Sequence, residues 1–72
     1  MEKWVIEEKE INKIDYGTEK DLVNQIIEDR KPLGRFFFFD TDRYIAIDNT
    51  SGEALMEEFL TLEECIDWLL EY

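Results

Sequence analysis

The chain has 72 residues, 19 of them acidic, 8 basic and none histidine, for a net charge of −11. A domain of this size buries only about 60% of its unfolded surface, so ten aromatics must supply a dense core. The charge argues against direct binding to nucleic acid or anionic lipid, both of which need Lys and Arg to neutralise phosphate. No apolar run approaches the roughly 18 residues of a membrane span, and MEKWVIEEKE at the start lacks the apolar segment of a signal peptide. A cytoplasmic protein is expected, and the single cysteine, Cys65, makes no internal disulfide.

Residues 3–14, KWVIEEKEINKI, carry two patterns. Trp4, Glu8 and Ile11 fit a helical stripe with a charge inside it, whereas the β-branched pair Val5-Ile6 after Trp4 favours a strand. Asp15-Tyr16-Gly17 reads as a turn. Thr18 then predicts an N-cap, with Leu22, Val23, Ile26 and Ile27 at helical spacing behind it. Arg30 and Lys31 fall in the last turn of that helix, and Pro32 with Gly34 ends it. Grouping Arg30, Lys31 and Arg35 as a phosphate site competes here with simple helix capping, and capping is the better explanation.

Arg35 to Phe59 reads as a β-meander: two apolar runs flank Asp40-Thr41-Asp42, and a third follows Asn49-Thr50-Ser51-Gly52. Phe36 to Phe39 put large groups on both faces of the first of these strands, so both faces must be covered. In one register Phe36, Phe38, Tyr44 and Ala46 alternate with Phe37, Phe39, Ile45 and Ile47; a one-residue slip exchanges the partners. The third strand, Ala54 to Phe59, is polar enough for an edge. Thr61 and Glu64 form a capping box, with Leu60 expected to staple onto Cys65, and Leu62, Cys65, Ile66 and Leu69 make the buried stripe of a final helix. Trp68 and Tyr72 are expected at its margin.

These elements predict one α+β domain over residues 1–72: a three- or four-stranded antiparallel sheet with two helices, in the order (β)-α-β-β-β-α. If both helices cover one face, the second set of phenylalanines stays exposed, and a homodimer is the simplest remedy.

Catalytic and metal signatures are missing from the sequence. Without histidine the commonest general base and zinc ligand are absent, and Cys65 on an apolar stripe reads as a core residue. Asp40-Thr41-Asp42 begins like a calcium loop but continues with Tyr44, Ile45 and Ser51 where ligand, glycine and glutamate are needed. No enzyme activity, cofactor or metal is expected.

The distribution of charge carries the functional expectation. Residues 1–43 hold 11 acids and all 8 bases; residues 44–72 hold 8 acids and no base. Glu63, Asp67 and Glu71 recur every four residues beside Glu64, although like charges at this spacing cost about 0.2–0.5 kcal/mol per pair. Carboxylates so placed lie about 5–6 Å apart, sparser than the roughly 3.4 Å spacing of charges along a DNA strand; Glu53, Glu57 and Glu58 would have to fill the gaps. The partner-binding candidates are therefore Glu53, Glu57, Glu58, Glu63, Glu64, Asp67 and Glu71, with Trp68 or Tyr72 as aromatic anchors. Solubility alone also accounts for such acidity.

A short, acidic, cysteine-poor αβ chain of this kind resembles the small inhibitors encoded by phages and mobile elements of bacteria, including anti-CRISPR proteins and other DNA mimics. The run Tyr44 to Leu69, YIAIDNTSGEALMEEFLTLEECIDWL, is similar to small uncharacterised proteins of Gram-positive phages. The resemblance implies a basic protein partner, a nucleic-acid-binding effector whose channel is occupied or whose assembly is blocked. The alternative is an immunity-protein, antitoxin or regulatory module that recognises one partner by shape and apolar contacts. Helix, three strands, helix is also the order of double-stranded RNA-binding domains, but those grip phosphate with basic side chains, and here the final helix is acidic.

Overall fold

The computed structural model describes residues 1–71; the expectation for Tyr72 lies outside the described residues. The chain runs β1 (Glu2–Ile6), β2 (Lys9–Lys13), α1 (Lys20–Asp29), β3 (Gly34–Asp40), β4 (Arg43–Asn49), β5 (Leu55–Phe59) and α2 (Leu62–Glu71). The strands form one five-stranded sheet in sequential order, β1-β2-β3-β4-β5. Every neighbouring pair is antiparallel except β2 and β3, which are parallel.

This corrects the expected three- or four-stranded antiparallel sheet in two respects. The N-terminal stretch is a hairpin of two strands, closed by Glu7 and Glu8 at φ 52° and 67°. Positive φ at both central residues is the backbone of a type I′ turn, which usually selects Asn and Gly. The parallel pair follows from the crossover: α1 carries the chain back across the sheet, so β3 starts at the same end as β2. Ile11 lies opposite Arg35 and Lys13 opposite Phe37, and the Ile14 N–H extends the ladder to the Phe37 carbonyl at 2.8 Å.

The two-residue turn Thr41-Asp42 sets Asp40 opposite Arg43 and thereby fixes the register of the central strands. Phe36 and Phe38 fall beside Ile47 and Ile45, while Phe37 and Phe39 fall beside Ala46 and Tyr44, which is the exchanged pairing of the two considered from sequence. Each face then receives its own helix. On one, Val23 and Ile26 of α1 bury against Ile14, Phe36, Phe38, Ile45 and Ile47, with the Tyr16 ring stacked on Phe38 at 4.7 Å. On the other, Cys65, Ile66 and Leu69 of α2 bury against Ile11, Phe37 and Ala46, and Trp4 meets Phe37 edge-on at 5.1 Å. Because the helices take opposite faces, the sequence argument for a homodimer loses its premise.

The caps differ from expectation at α1. Its N-cap is Glu19, not Thr18, and its side chain makes no cap bond; instead the Glu19 carboxylate accepts the Asp15 N–H at 3.0 Å and the Met1 ammonium at 2.9 Å. Those bonds hold its carboxyl below the usual value of 4.5, the Asp15 amide contributing most. No base lies in the last turn. Arg30 is the left-handed residue that closes the helix, its N–H on the Ile26 carbonyl. At α2 one leg of the predicted box is present: the Glu64 N–H donates to Thr61 Oγ1 at 3.2 Å, and the Glu64 carboxylate accepts the Thr61 hydroxyl at 2.9 Å in place of the Thr61 backbone N–H. Leu60, however, is 67% exposed and makes no staple on the buried Cys65.

Asn49 is the fully buried hub between these layers. Its Nδ2 donates to the carbonyls of Arg30 (3.0 Å) and Pro32 (2.9 Å), and its Oδ1 accepts the Ala54 N–H (3.1 Å). One amide thus holds the α1–β3 connection against the loop that leads into β5. Among the described residues no helix is long and apolar enough to cross a membrane.

Candidate interaction surfaces

The outer side of α2 follows from its buried stripe. With Cys65, Ile66 and Leu69 turned to the sheet, helical geometry puts Glu63, Asp67 and Glu71 on the exposed side. Glu64 is exposed as well, with one carboxylate oxygen occupied by the cap. Ion pairs given for the described residues join Met1 to Glu19, Lys3 to Glu10 and Arg43 to Asp42, all outside α2.

The other candidate acids do not gather into one surface. Glu57 lies opposite Ala46 and Glu58 opposite Ile45, so their side chains leave the sheet on opposite faces, Glu57 on the α2 side and Glu58 on the α1 side. Glu53 lies in the loop before β5, where Arg30 Nη1 donates to its backbone carbonyl. The structure therefore brings Glu57, Glu63, Glu64, Asp67 and Glu71 to the α2 side and separates Glu58 and Glu53 from them. Trp68 sits half-buried at the helix margin, its ring 6.0 Å from Phe59.

Three of the bases, Lys9, Arg30 and Arg35, bond to backbone carbonyls. Lys9 Nζ donates to the Leu70 carbonyl and Arg35 Nε to the Leu69 carbonyl at 3.1 Å, so the C-terminal end of α2 receives its positive charge from β2 and β3. Arg30 Nε caps its own helix at the Ile27 carbonyl, 3.1 Å away. Arg30 and Arg35 thus serve different helices on different faces, and no phosphate cluster forms. Cys65 is fully buried, and burial pushes its thiol up to about 12, which makes it a core group and a poor nucleophile. Among the described residues no group of three or more His, Cys, Asp or Glu is placed to hold a metal ion.

One feature of the surface has little trace in the sequence. α1 packs across the sheet but stops short of β5, leaving a groove of about 410 Å³ between them. Ile27 and Asn24 of α1 form one wall, Phe38 and Ile45 line the sheet side, and Met56 with Glu58 form the rim on β5. Ile27 was expected in the core and is 38% exposed here. The only sequence signal was its place at the margin of a narrow apolar stripe.

No known protein family, no curated protein and no solved structure matches this chain.

Proposed function

We propose that the protein is a non-enzymatic binding module that presents the outer side of α2 to a basic surface of a protein partner, in the manner of a phage or mobile-element inhibitor that competes with nucleic acid for a host effector. One observation carries this reading: Glu63, Asp67 and Glu71 are exposed on one helix, and none of the ion pairs among the described residues involves them. Unneutralised charge of one sign steers association with the opposite sign. Glu57 on the same face extends the stripe toward the sheet edge, and half-buried Trp68 supplies an aromatic anchor beside it.

The test is capture of partners from a bacterial lysate at low salt, followed by challenge with duplex DNA. A nucleic-acid-binding protein released by DNA, and no longer captured by the variant Glu63→Lys, Asp67→Lys, Glu71→Lys, supports the reading. A partner indifferent to DNA, to salt and to that variant overturns it. Such a result would favour the shape-recognising immunity-protein or antitoxin reading, for which the apolar groove beside β5 speaks.

A further inference from the structure

β5 is the last strand of the sheet and pairs only with β4 among the described residues. The Glu58 N–H donates to the carboxylate of its own neighbour, Glu57, at 3.4 Å, which turns that amide to the outer side. Alternation turns the Met56 amide outward too and leaves those of Leu55, Glu57 and Phe59 facing β4. Open edges in natural sheets are usually protected by a bulge, proline, charge or a covering element, and here charge, on Glu57 and Glu58, repels acidic strands but not a basic one. Here the edge keeps exposed apolar groups on both faces, Leu55 at 41% and Met56 at 45%. On the α1 side it opens into the groove described above, whose rim carries the carboxylates of Asp40 and Glu58 and whose lining contains no Lys or Arg.

We propose that β5 accepts an extended segment of a partner protein as a sixth strand. The segment carries two consecutive Lys or Arg residues, one opposite Glu57 and one opposite Glu58, flanked by apolar residues opposite Leu55, Met56 and Phe59. Two adjacent carboxylates on opposite faces of one strand select two adjacent bases by cross-strand pairing, and main-chain bonds to the outward amides supply sequence-independent affinity. An apolar side chain next to Met56 projects over the groove toward Ile27. A second copy of the chain is a poor occupant, because LMEEF against itself sets acid beside acid in a protein of net charge −11. This surface shares Glu57 with the α2 side, but its outward amides and its groove lie on β5, and it does not depend on the function proposed for the outer side of α2.

The probe is the capped peptide Thr-Val-Val-Lys-Lys-Val-Val-Thr, which reads alike in both directions and so serves a parallel or antiparallel strand. Its control replaces both lysines by glutamate. Titrated into the isotope-labelled full chain at low salt, the lysine peptide is expected to saturate, to slow amide exchange at Met56 and Glu58 by about tenfold or more, and to shift the methyl signals of Ile27 and Ile45. Glu58→Pro removes one outward N–H while sparing the ladder to β4, and is expected to abolish binding with the fold retained. Should that variant not fold, Met56→Lys, at an exposed position, is expected to weaken binding at least about fivefold by like charge. Unaltered exchange at Met56 and Glu58, shifts confined to α2, equal binding of the glutamate peptide, or full binding by both variants would overturn the proposal. So would concentration-dependent protection of those amides without peptide, which would make a second copy the occupant.

Discussion

Asn49→Ala is the most informative single change in the fold. The side chain makes three hydrogen bonds from a fully buried position, two donated to the carbonyls of Arg30 and Pro32 and one accepted from Ala54. At about 1 kcal/mol net for each bond, the substitution costs about 3 kcal/mol. The carbonyls of Arg30 and Pro32 belong to exposed residues and can find water, whereas the orphaned N–H of half-buried Ala54 adds to that cost. A domain of this length has about 4–11 kcal/mol in total, so about a quarter or more of the stability is at stake. Urea unfolding followed by tryptophan fluorescence should show the midpoint falling by about 3 M, given a slope near 1 kcal/mol/M for so small a protein. Asn49→Asp sharpens the test, since it keeps the shape and the acceptor while turning both donors into carboxylate oxygens against two carbonyls. It should cost at least as much at neutral pH and recover partly in acid, where the protonated carboxyl regains one donor. A loss below about 1 kcal/mol for Asn49→Ala, smaller than one ordinary buried bond, would refute the reading of Asn49 as the hub of the loops.

Replacing Glu7-Glu8 by Asn-Gly should stabilise the hairpin by about 1–2 kcal/mol, because Gly removes a side chain from left-handed backbone that costs it of this order and Asn tolerates that backbone better than Glu; a lower urea midpoint would mean that the turn is not of this type. Glu19 has its carboxyl held below 4.5, so its contribution is present above that pH and is lost as the pH falls through the lowered value; in Glu19→Gln the corresponding part of the acid transition should be missing. Cys65 has a thiol pushed from 9.0 up to about 12 by burial, so folding favours its neutral form and stability should fall as the pH rises from 9.0 towards 12, a fall absent in Cys65→Ala. At pH 8 the native thiol should react with iodoacetamide only as fast as α2 opens, and immediate reaction would contradict its burial. Thr61→Ala should cost about 1 kcal/mol through the lost cap, read as the same midpoint shift.

How far the sequence revealed this fold depends on whether each element carries its own local signal. α2 does: Thr61 and Glu64 stand ahead of Cys65, Ile66 and Leu69 at helical spacing, and the Thr61 cap and the buried stripe are found in place. The strands β3 and β4 are bounded by Asp, Thr and Asn residues that turn the chain, and their existence was legible for that reason. The β1–β2 hairpin was not, since Glu-Glu is a poor occupant of a turn whose two residues both have positive φ, and nothing in KWVIEEKEINKI marks a reversal. The parallel β2–β3 pair was also hidden, because it depends on how α1 crosses the sheet and not on any residue within the strands. The acidic candidates were plain from composition, but their grouping was not. Alternation sets Glu57 and Glu58 on opposite faces in any register; the pairing of β4 with β5 decides that Glu58 takes the α1 side, and only then does Glu58 become part of a groove.

The segregation of charge in the sequence acquires a physical cause once the sheet is assembled. A helix accumulates negative potential at its C-terminal carbonyls and is stabilised by a cation there by about 0.3–1 kcal/mol, yet α2 has no base of its own in its last turn. Lys9 and Arg35 reach those carbonyls from β2 and β3, so bases that are distant in sequence act at the end of α2. The absence of Lys and Arg after Arg43 is therefore compatible with a stable helix. These cations approach from the sheet side, where they bond to backbone, and they leave Glu63, Asp67 and Glu71 on the outer side unneutralised. Lys9→Gln and Arg35→Gln should consequently destabilise α2 and leave partner capture by the outer acids intact in the folded fraction. Reversal of those acids to lysine should do the opposite: abolish capture while changing the stability of α2 little, since the repulsion at i, i+4 only changes sign. A single role for all the charges, whether structural or functional, would instead move stability and capture together in both sets of variants.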